Sequence, residues 1–318
     1  MTVADGETRS DKSGTAAVGV AADRDRVAVR LLKSSAEKFF DPIVDVDWDA
    51  PFEEGKVWLP EHRTSLYGTT LWETLTPEQR VELGKQELAG ILSFAIYAEC
   101  WVGLMFLRSV TEGGLIDKRS QYALTETAEE ARHSIMFARL LSKMGVEHYR
   151  QPKWRLYLMR FISFVPLGPF SYGSVMLIEE ILDRAQRESM NDPDIQPHVR
   201  QMMRLHVMEE ARHIAFARDE VRRGMESRGR FRRAPHRLCL AFLALLVFPL
   251  LVPGSVYKSV GIGPLRGMRA ARRGPHYKAN IQYYCEPMAR FFVDVGMYEG
   301  FLAKKLWRMS KGLPDDLV

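Results

Sequence analysis

The sequence of 318 residues contains three cysteines, and this scarcity argues against two kinds of protein. Cys100, Cys239 and Cys285 are an odd number and form no C-x-x-C pair. A disulfide framework needs an even set of cysteines, and a zinc ribbon needs closely paired ones. Neither is indicated, and the cysteine content is typical of a protein that works in the reducing cytoplasm.

The sequence also lacks a hydrophobic run long enough to cross a bilayer. The longest run, 238–253, has 16 residues, whereas a spanning helix needs about 20. The first 24 residues contain no apolar core of the kind found in signal peptides, and we interpret 1–24 as a disordered N-terminal tail. We therefore expect no transmembrane span, no secretion signal and a cytoplasmic location.

Positive charge exceeds negative charge by five, and arginines are concentrated at 222–237, which contains seven of them. Beside the apolar run, this segment could contact anionic lipid. A buried helix after a solvated turn is favoured, because helices that are apolar on all sides also fill the interiors of large helical proteins. Binding to nucleic acid is not expected, since no interleaved aromatic residues or recognised module accompany the arginines.

The alternation of apolar and polar residues that is typical of strands is absent, and apolar residues recur at helical spacing. Thr76, Pro77 and Gln79 supply an N-cap, a proline at the first helical position and a capping-box glutamine. Long helices are predicted at about 76–108, 120–144, 172–190 and 196–226, with helical segments at 25–40 and 276–309. This pattern predicts an all-α fold: a four-helix bundle over about 76–226, with additional N- and C-terminal helices, the latter at 234–318.

A five-residue motif, Glu-Glu-Ala-Arg-His, occurs twice, at 129–133 and at 209–213. In each copy the second glutamate and the histidine are three residues apart, so their side chains leave the helix in nearly the same direction. Such a pair can chelate one metal ion. Two helices with this pair, plus one glutamate from each of two further helices, form the di-iron or di-manganese carboxylate site of four-helix bundles.

Two more buried glutamates are therefore expected. Glu99 is the single charged residue in 91–107, and its helix-face neighbours are apolar, so its buried carboxylate needs a cation as partner. On the next helix, Glu179 shares its face mainly with apolar residues, whereas Glu180 aligns with Arg184 and Arg187. We expect Glu179 to point inward and Glu180 to be exposed.

His206 extends the second motif to His-x3-Glu-x2-His, a stripe on one helix face with Glu210 and His213. A third imidazole would make one metal ion richer in nitrogen ligands and slow its loss. The alternative for His206 is a core histidine satisfied by hydrogen bonds. For a single Glu-x-x-His the alternative is a solvated surface pair, but two copies together with Glu99 favour the metal site.

From about Leu66 onward the sequence resembles the p-aminobenzoate N-oxygenase family of ferritin-like, non-haem di-iron arylamine oxygenases. The resemblance is carried by Leu-Tyr-Gly-Thr-Thr-Leu-Trp-Glu at 66–73 and by the glutamates and histidines described above. It implies a single di-iron oxygenase domain over 25–318, with two iron ions and O2 as co-substrate. The metal ligands that it implies are Glu99, Glu130, His133, Glu179, His206, Glu210 and His213.

The resemblance further implies N-oxygenation of an amine, in particular an arylamine, toward a hydroxylamine, nitroso or nitro product. No Gly-x-Gly-x-x-Gly fingerprint is present, so electrons should come from a separate reductase or another external donor. A homodimer that acts in secondary metabolism is expected. The alternatives are a di-iron oxygenase acting on carbon, as a hydroxylase or desaturase, a ferroxidase or iron-binding helical protein, and a non-enzymatic helical protein at a membrane surface.

The substrate is the point at which the sequence departs from a benzoate-specific oxygenase. Residues 91–98 contain no arginine or other cation that could bind a substrate carboxylate. A buried carboxylate without such a partner costs on the order of several kcal/mol. We therefore expect an amine on an apolar body that lacks a carboxylate near the first bundle helix. An arginine from elsewhere, such as Arg290, would change this expectation if it reached the pocket.

Overall fold

A computed structural model describes residues 12–162, 165–248 and 251–317 of the chain. No strand occurs among these residues, and Val57 and Ile195 form an isolated bridge. The all-α prediction is confirmed. The helices are α1 (Lys12–Glu37), α2 (Thr70–Glu73), α3 (Pro77–Glu112), α4 (Lys118–Met144), α5 (Lys153–Ile162), α6 (Pro169–Asn191), α7 (Pro197–Glu226), α8 (Arg230–Val247), α9 (Pro264–Arg273), α10 (Pro275–Asp294) and α11 (Phe301–Ser310).

The ends of the bundle helices follow from local sequence. The backbone N–H groups of Thr76 and Gln79 are each bonded by the other's side chain, which forms the predicted capping box of α3. Asp117 caps α4 by accepting from the backbone of Ser120 at 2.7 Å. α4 ends at Gly145, whose φ of 65° lies in the left-handed region that glycine adopts without strain.

Two helical hairpins form the bundle. α3 packs on α4 and α6 packs on α7, while α4 also contacts α7 and α3 also contacts α6. The remaining helices cover this core: α1 lies on α4 and α7, α10 lies on α6, and α8 packs on α6 and α11. The arrangement is the predicted four-helix bundle with N- and C-terminal additions.

Three segments differ from the sequence prediction. α1 begins at Lys12, inside the segment 1–24 interpreted as a tail, while residues 1–11 lie outside the described part of the chain. α8 begins at Arg230, so part of the arginine-rich segment expected to be a solvated turn is helical. The helical segment predicted at 276–309 is two helices, because the chain turns at Gly296 and Gly300, both at positive φ.

The apolar part of α8 is a buried helix, as favoured from the sequence. Leu240, Ala241 and Ala244 are 0% exposed where α8 meets α6 and α11. Among the described residues, one helix is long and apolar enough to cross a membrane by length and composition, and this helix is α3. Most of its apolar window is buried within the protein, so α3 is a core helix of the bundle.

Apolar side chains form two large clusters at opposite ends of the bundle. The segment 38–69 between α1 and α2 is called here the connector. The connector cluster includes Trp58, Leu140 and Met202, and the C-terminal cluster includes Phe106, Phe216 and Trp307. Along α4 and α7, residues of one cluster are followed by a polar stretch and then by residues of the other. The two clusters therefore hold the helices in register on both sides of a central polar layer.

We expect Leu140→Ala to lower the free energy of unfolding by about 2–5 kcal/mol, because it leaves a cavity in the connector cluster. Leu140 is 0% exposed. The matched control is Leu124→Ala on the same helix, where the leucine is 45% exposed and the expected loss is below about 1 kcal/mol. Urea denaturation of the metal-free protein measures both values. Equal losses in the two variants would contradict the assignment of Leu140 to the core.

Glu87 joins α3 to the connector that precedes it. Its carboxylate accepts hydrogen bonds from the backbone N–H of Ser65, at 3.0 Å, and from the Ser65 hydroxyl. The hydroxyl of Tyr257 lies 2.9 Å from Ser65 Oγ. Burial raises the pKa of Glu87 from 4.5 to about 7, although the hydrogen bonds from Ser65 act in the opposite direction.

Because the pKa of Glu87 is higher in the folded state, its proton stabilises the fold below pH 4.5, and this contribution is lost as the pH rises to about 7. We expect Glu87→Gln to remove this pH dependence. From pH 4 to pH 8, the free energy of unfolding of the wild type should fall by about 3 kcal/mol relative to that of Glu87→Gln. Chemical denaturation across this range measures the difference. The exposed Glu147, as Glu147→Gln, is the control, and a pH-independent difference for Glu87→Gln would contradict the expectation.

Candidate metal centre

The seven predicted ligands lie on the four bundle helices, in the polar layer between the two apolar clusters. α3 carries Glu99, α4 carries Glu130 and His133, α6 carries Glu179, and α7 carries the other three, His206, Glu210 and His213. None of them is more than 4% exposed. The fold thus brings together side chains that are up to 114 residues apart in the sequence.

The first group of possible metal ligands consists of Glu99, His133, His206 and Glu210. Each offers one nitrogen or oxygen atom, and these atoms lie within 4.8 Å of one another. His206 Nε2 is 3.4 Å from Glu99 Oε1 and 3.4 Å from Glu210 Oε1, while His133 Nδ1 is 3.1 Å from Glu210 Oε1. Four donors at these separations can surround one ion.

The second group consists of Glu130, Glu179, Glu210 and His213. Again each residue offers one nitrogen or oxygen atom, and these atoms lie within 4.8 Å of one another. His213 Nδ1 is 3.1 Å from Glu130 Oε1 and 3.4 Å from Glu210 Oε1. Glu210 belongs to both groups, so its carboxylate is placed to bridge two ions. His133 and Glu130, which the motif suggests as one chelating pair, fall in different groups, although Glu130 Oε2 lies 3.2 Å from His133 Nδ1.

Glu180 corrects one expectation from the sequence. It was expected to be exposed, but its side chain is 4% exposed, so this prediction was wrong. Arg218 of α7 reaches it with two guanidinium nitrogens, and Nε is 3.4 Å from Oε2. The arginine partner on α7 could not be identified from the neighbours of Glu180 on its own helix. Glu179, by contrast, points into the centre as expected.

The centre contains buried polar atoms that have no hydrogen-bond partner in the described part of the chain. Several atoms of the seven residues have no hydrogen-bond partner among the described residues: Glu99 Oε2, Glu130 Oε1, both oxygens of Glu179, both oxygens of Glu210 and His213 Nδ1. Buried acceptors left in this state cost free energy, and native proteins rarely keep so many together. A donor set of carboxylate oxygens and imidazole nitrogens, with no thiolate, fits iron or manganese. Two such cations would satisfy the orphaned atoms.

Burial and neighbouring charges shift the pKa values of the clustered side chains. Burial raises the pKa values of Glu99 and Glu179 well above the usual range, and nearby carboxylates raise them further. Burial lowers the pKa of His206 to about 4, despite the opposing effect of Glu210. His206 is therefore neutral at neutral pH, which is the form in which a histidine binds a metal.

Hydrogen bonds around the centre orient all three imidazoles. His213 Nε2 lies 2.7 Å from Glu129 Oε2, and His133 Nε2 lies 2.9 Å from Glu209 Oε2. His206 Nδ1 lies 2.7 Å from Gln186 Oε1. In each case one ring nitrogen is bonded outward, so the other is directed at the clustered ligand atoms. Outer partners of this kind fix the tautomer and orientation of metal-binding histidines.

The outer partners are exchanged between the two copies of the motif. The first glutamate of each copy accepts from the histidine of the other copy, and Arg212 Nη2 lies 2.8 Å from Glu129 Oε1. Arg132 Nη2 lies 3.5 Å from Glu209 Oε1. Sequence reasoning used two of the five motif residues and missed Glu129, Glu209 and both arginines. Their repetition in both copies was the signal that could have identified them.

Two further polar residues are buried near the centre, and no sequence pattern predicted their position. Glu126 lies one turn before Glu130 on α4 and is 0% exposed, as is Tyr122. Burial raises the pKa of Glu126 well above its usual range, with smaller contributions from neighbouring groups of both signs. Burial therefore favours the protonated form of the Glu126 carboxyl beside the clustered side chains.

A cavity of about 70 Å³, called here the inner cavity, adjoins the centre. Glu99, Glu179 and His206 form part of its wall, and most of the remaining wall is apolar, with Phe94 and Phe137 among the larger side chains. No arginine or lysine is among the described residues that line it. Arg290 is elsewhere, paired with Glu286 and Asp316, both at less than 3 Å. The described lining of the inner cavity therefore offers no cation to a substrate carboxylate.

Comparison with known proteins places this centre in a family. The family described as P-aminobenzoate N-oxygenase AurF matches residues 21–296. Similar curated proteins include "Uncharacterized protein Rv0885" of Mycobacterium tuberculosis (strain ATCC 25618 / H37Rv) and "Uncharacterized protein Mb0909" of Mycobacterium bovis (strain ATCC BAA-935 / AF2122/97). Each is 26% identical over 229 residues, which is 69% of this chain and 64% of the relative.

The chain therefore spans less than two thirds of the length of these relatives. The family match is more extensive, because it runs from α1 to the turn after α10 and includes all seven clustered residues. The chain belongs to the p-aminobenzoate N-oxygenase family.

Proposed function

We propose that this protein is a non-haem di-iron oxygenase that uses O2 to N-oxygenate an amine. The substrate is an arylamine, and the product is a hydroxylamine, nitroso or nitro compound. One observation carries the proposal: Glu210 belongs to both groups of four possible ligands, and one of these groups also contains the additional imidazole of His206. Membership of the family supports oxygenase chemistry at these residues.

The clustered residues would hold one ion in each group. Glu99, His133 and His206 would bind the first, and Glu130, Glu179 and His213 the second, with Glu210 between them. Two irons bound there would supply the reduction of O2 and the transfer of one oxygen atom to nitrogen. Glu209 and Glu129 contact Nε2 of His133 and His213, so Nδ1 of each ring would be the atom that binds the metal.

The inner cavity would receive the amine. Its wall is mostly apolar, so it binds an aromatic or aliphatic body and excludes water from the reacting nitrogen. The absence of a cation from its described lining favours a neutral group next to the amine. A carboxylate held there would lose its hydration without compensation.

The reaction also needs electrons. Hydroxylation of an amine with O2 places one oxygen atom on nitrogen and releases the other as water, which consumes two electrons and two protons. We propose that a separate reductase or another external donor supplies the electrons. A homodimer, a cytoplasmic location and a role in secondary metabolism remain predictions.

The second candidate is oxygenation of carbon at the same centre. Carboxylates and two histidines are sufficient for a bundle di-iron site, and the apolar inner cavity would also accept a hydrocarbon chain. The position of His206 within the first group of ligands favours the N-oxygenase. The products formed from an arylamine separate these two activities.

We expect close to two iron ions per chain after anaerobic reconstitution with Fe(II). Glu210→Ala removes the carboxylate common to both groups and should lower the content below one ion. Glu147→Gln, at an exposed position outside the centre, should retain the wild-type content. Elemental analysis measures the iron, and circular dichroism shows whether each variant is folded. A wild-type protein with almost no iron would contradict the dinuclear site.

We expect the iron-loaded protein to convert a neutral arylamine such as 4-methylaniline to products oxidised on nitrogen, given O2 and a chemical reductant. His206→Ala removes one first-group ligand and should lower kcat/KM at least tenfold, or about 1.4 kcal/mol of transition-state stabilisation. Mass spectrometry identifies the products. Products oxidised on carbon alone would support the second candidate, and unchanged turnover in His206→Ala would return this residue to a structural role.

A further inference from the structure

A second cavity adjoins the inner one on the side away from the metal centre. This outer cavity has a volume of about 130 Å³. Both cavities have the same five residues in part of their walls: Leu59, Ile91, Leu182, Ala185 and Ser189. The two cavities are therefore neighbours, and the side chains between them are small or aliphatic. The line from the outer cavity through the inner one to the centre is called here the path.

Helix geometry gives the length of α3 that lies beside this path. On α3, Glu87 lines the outer cavity, Ile91 lines both, and Glu99 lines the inner one at the centre. The twelve residues from Glu87 to Glu99 correspond to a rise of about 18 Å along the helix. α6 follows the same course, with Glu179 at the centre and Ser189 between the cavities. The path is thus longer than a single aromatic ring requires.

The outer cavity differs from the inner one in charge. Its wall includes two arginines, and the first, Arg63, already has partners: Nε lies 2.8 Å from Glu188 Oε2, and the guanidinium lies 3.9 Å from the centre of the Tyr283 ring. The second, Arg272, is exposed at the last turn of α9, and its side chain forms no ion pair or hydrogen bond with any described residue. Arg272 is the cation available to a ligand.

The negative side chain in this wall does not compensate Arg272. Glu87 is 1% exposed, and both its oxygens accept from Ser65. At neutral pH this carboxyl is about half protonated, since burial raises its pKa to about 7. The positive charge at the exposed end of the path is therefore free to bind an anion, whereas the inner end has no cation among its described residues.

We propose that the substrate is an elongated amine, with its nitrogen in the inner cavity and a carboxylate at its far end bound by Arg272 at the mouth of the outer cavity. This inference rests on the proposed function, because it assigns the nitrogen to the metal centre. One guanidinium matches the single charge of a carboxylate, and the apolar walls between them accommodate a hydrocarbon body. A carboxylate is thus excluded beside the centre and favoured at a distance.

Equilibrium binding tests the inference without turnover. The probes are 4-aminobenzoate and a series of 4-aminophenyl alkanoic acids, extended until nitrogen and carboxylate are about 18 Å apart. Each acid is compared with its methyl ester by anaerobic calorimetry on Fe(II)-loaded protein. For the shortest probe the ester should bind more tightly. For the longest probe the acid should bind at least about fivefold more tightly, as expected for a charged hydrogen bond near solvent.

Substitutions of Arg272 test whether its side chain causes the tighter binding of the long acid. Arg272→Met should abolish the advantage of the long acid over its ester, and Arg272→Lys should restore part of it. Arg273→Met, the next residue in α9, is exposed and does not line the cavity, and this variant should retain the advantage. The inference is overturned if no acid in the series binds more tightly than its ester, or if the preference survives in Arg272→Met.

Aerobic turnover of 4-methylaniline by the same preparations separates this inference from the proposed function. Oxidation of its nitrogen without any preference for long acids would leave the proposed function intact and overturn the extended path. A preference for long acids that depends on Arg272, without any product oxidised on nitrogen, would support the path and contradict the proposed reaction.

Discussion

The burial of charge in the middle of the bundle is the constraint on which the rest of the structure depends. Four carboxylates and three imidazoles meet in one layer with almost no access to water. Removing such groups from water costs several kcal/mol for each ion unless partners replace the lost hydration. The imidazoles supply part of this compensation, and the orphaned oxygens of Glu179 and Glu210 show that it is incomplete. Cations bound in this layer would complete the compensation.

The apolar clusters on both sides provide the rigidity that this layer needs. Ligand atoms within 4.8 Å of one another can be kept there only if four helices stay in register. Leu140 and Met202 fix the helices on one side, and Phe106 and Phe216 fix them on the other. The crossed hydrogen bonds of Glu129 and Glu209 then connect α4 and α7 within the layer. Packing and polar contacts thus reinforce the same geometry.

The segments added to the bundle form part of the cavity walls. The connector contributes Leu59 and Arg63 to the cavity walls, and the C-terminal helices contribute Arg272 and Tyr284. These residues lie outside the seven clustered glutamates and histidines and are not among the groups that could hold a metal ion. Within a family that shares a centre, such additions are where differences in substrate can arise, because they change the cavities without disturbing the ligands.

The sequence by itself determined the all-α fold, the approximate bounds of the four long helices and the two Glu-x-x-His pairs, because helical periodicity and this spacing are local patterns. The full set of seven candidate ligands also needed the resemblance to a known family. Only the tertiary structure decided that Glu180 is buried, since its partner Arg218 lies on another helix. It also decided that Glu130 and His133 fall in different groups and that Arg272, although exposed, lines a cavity. These features depend on how helices approach one another, and no pattern within one helix encodes that approach.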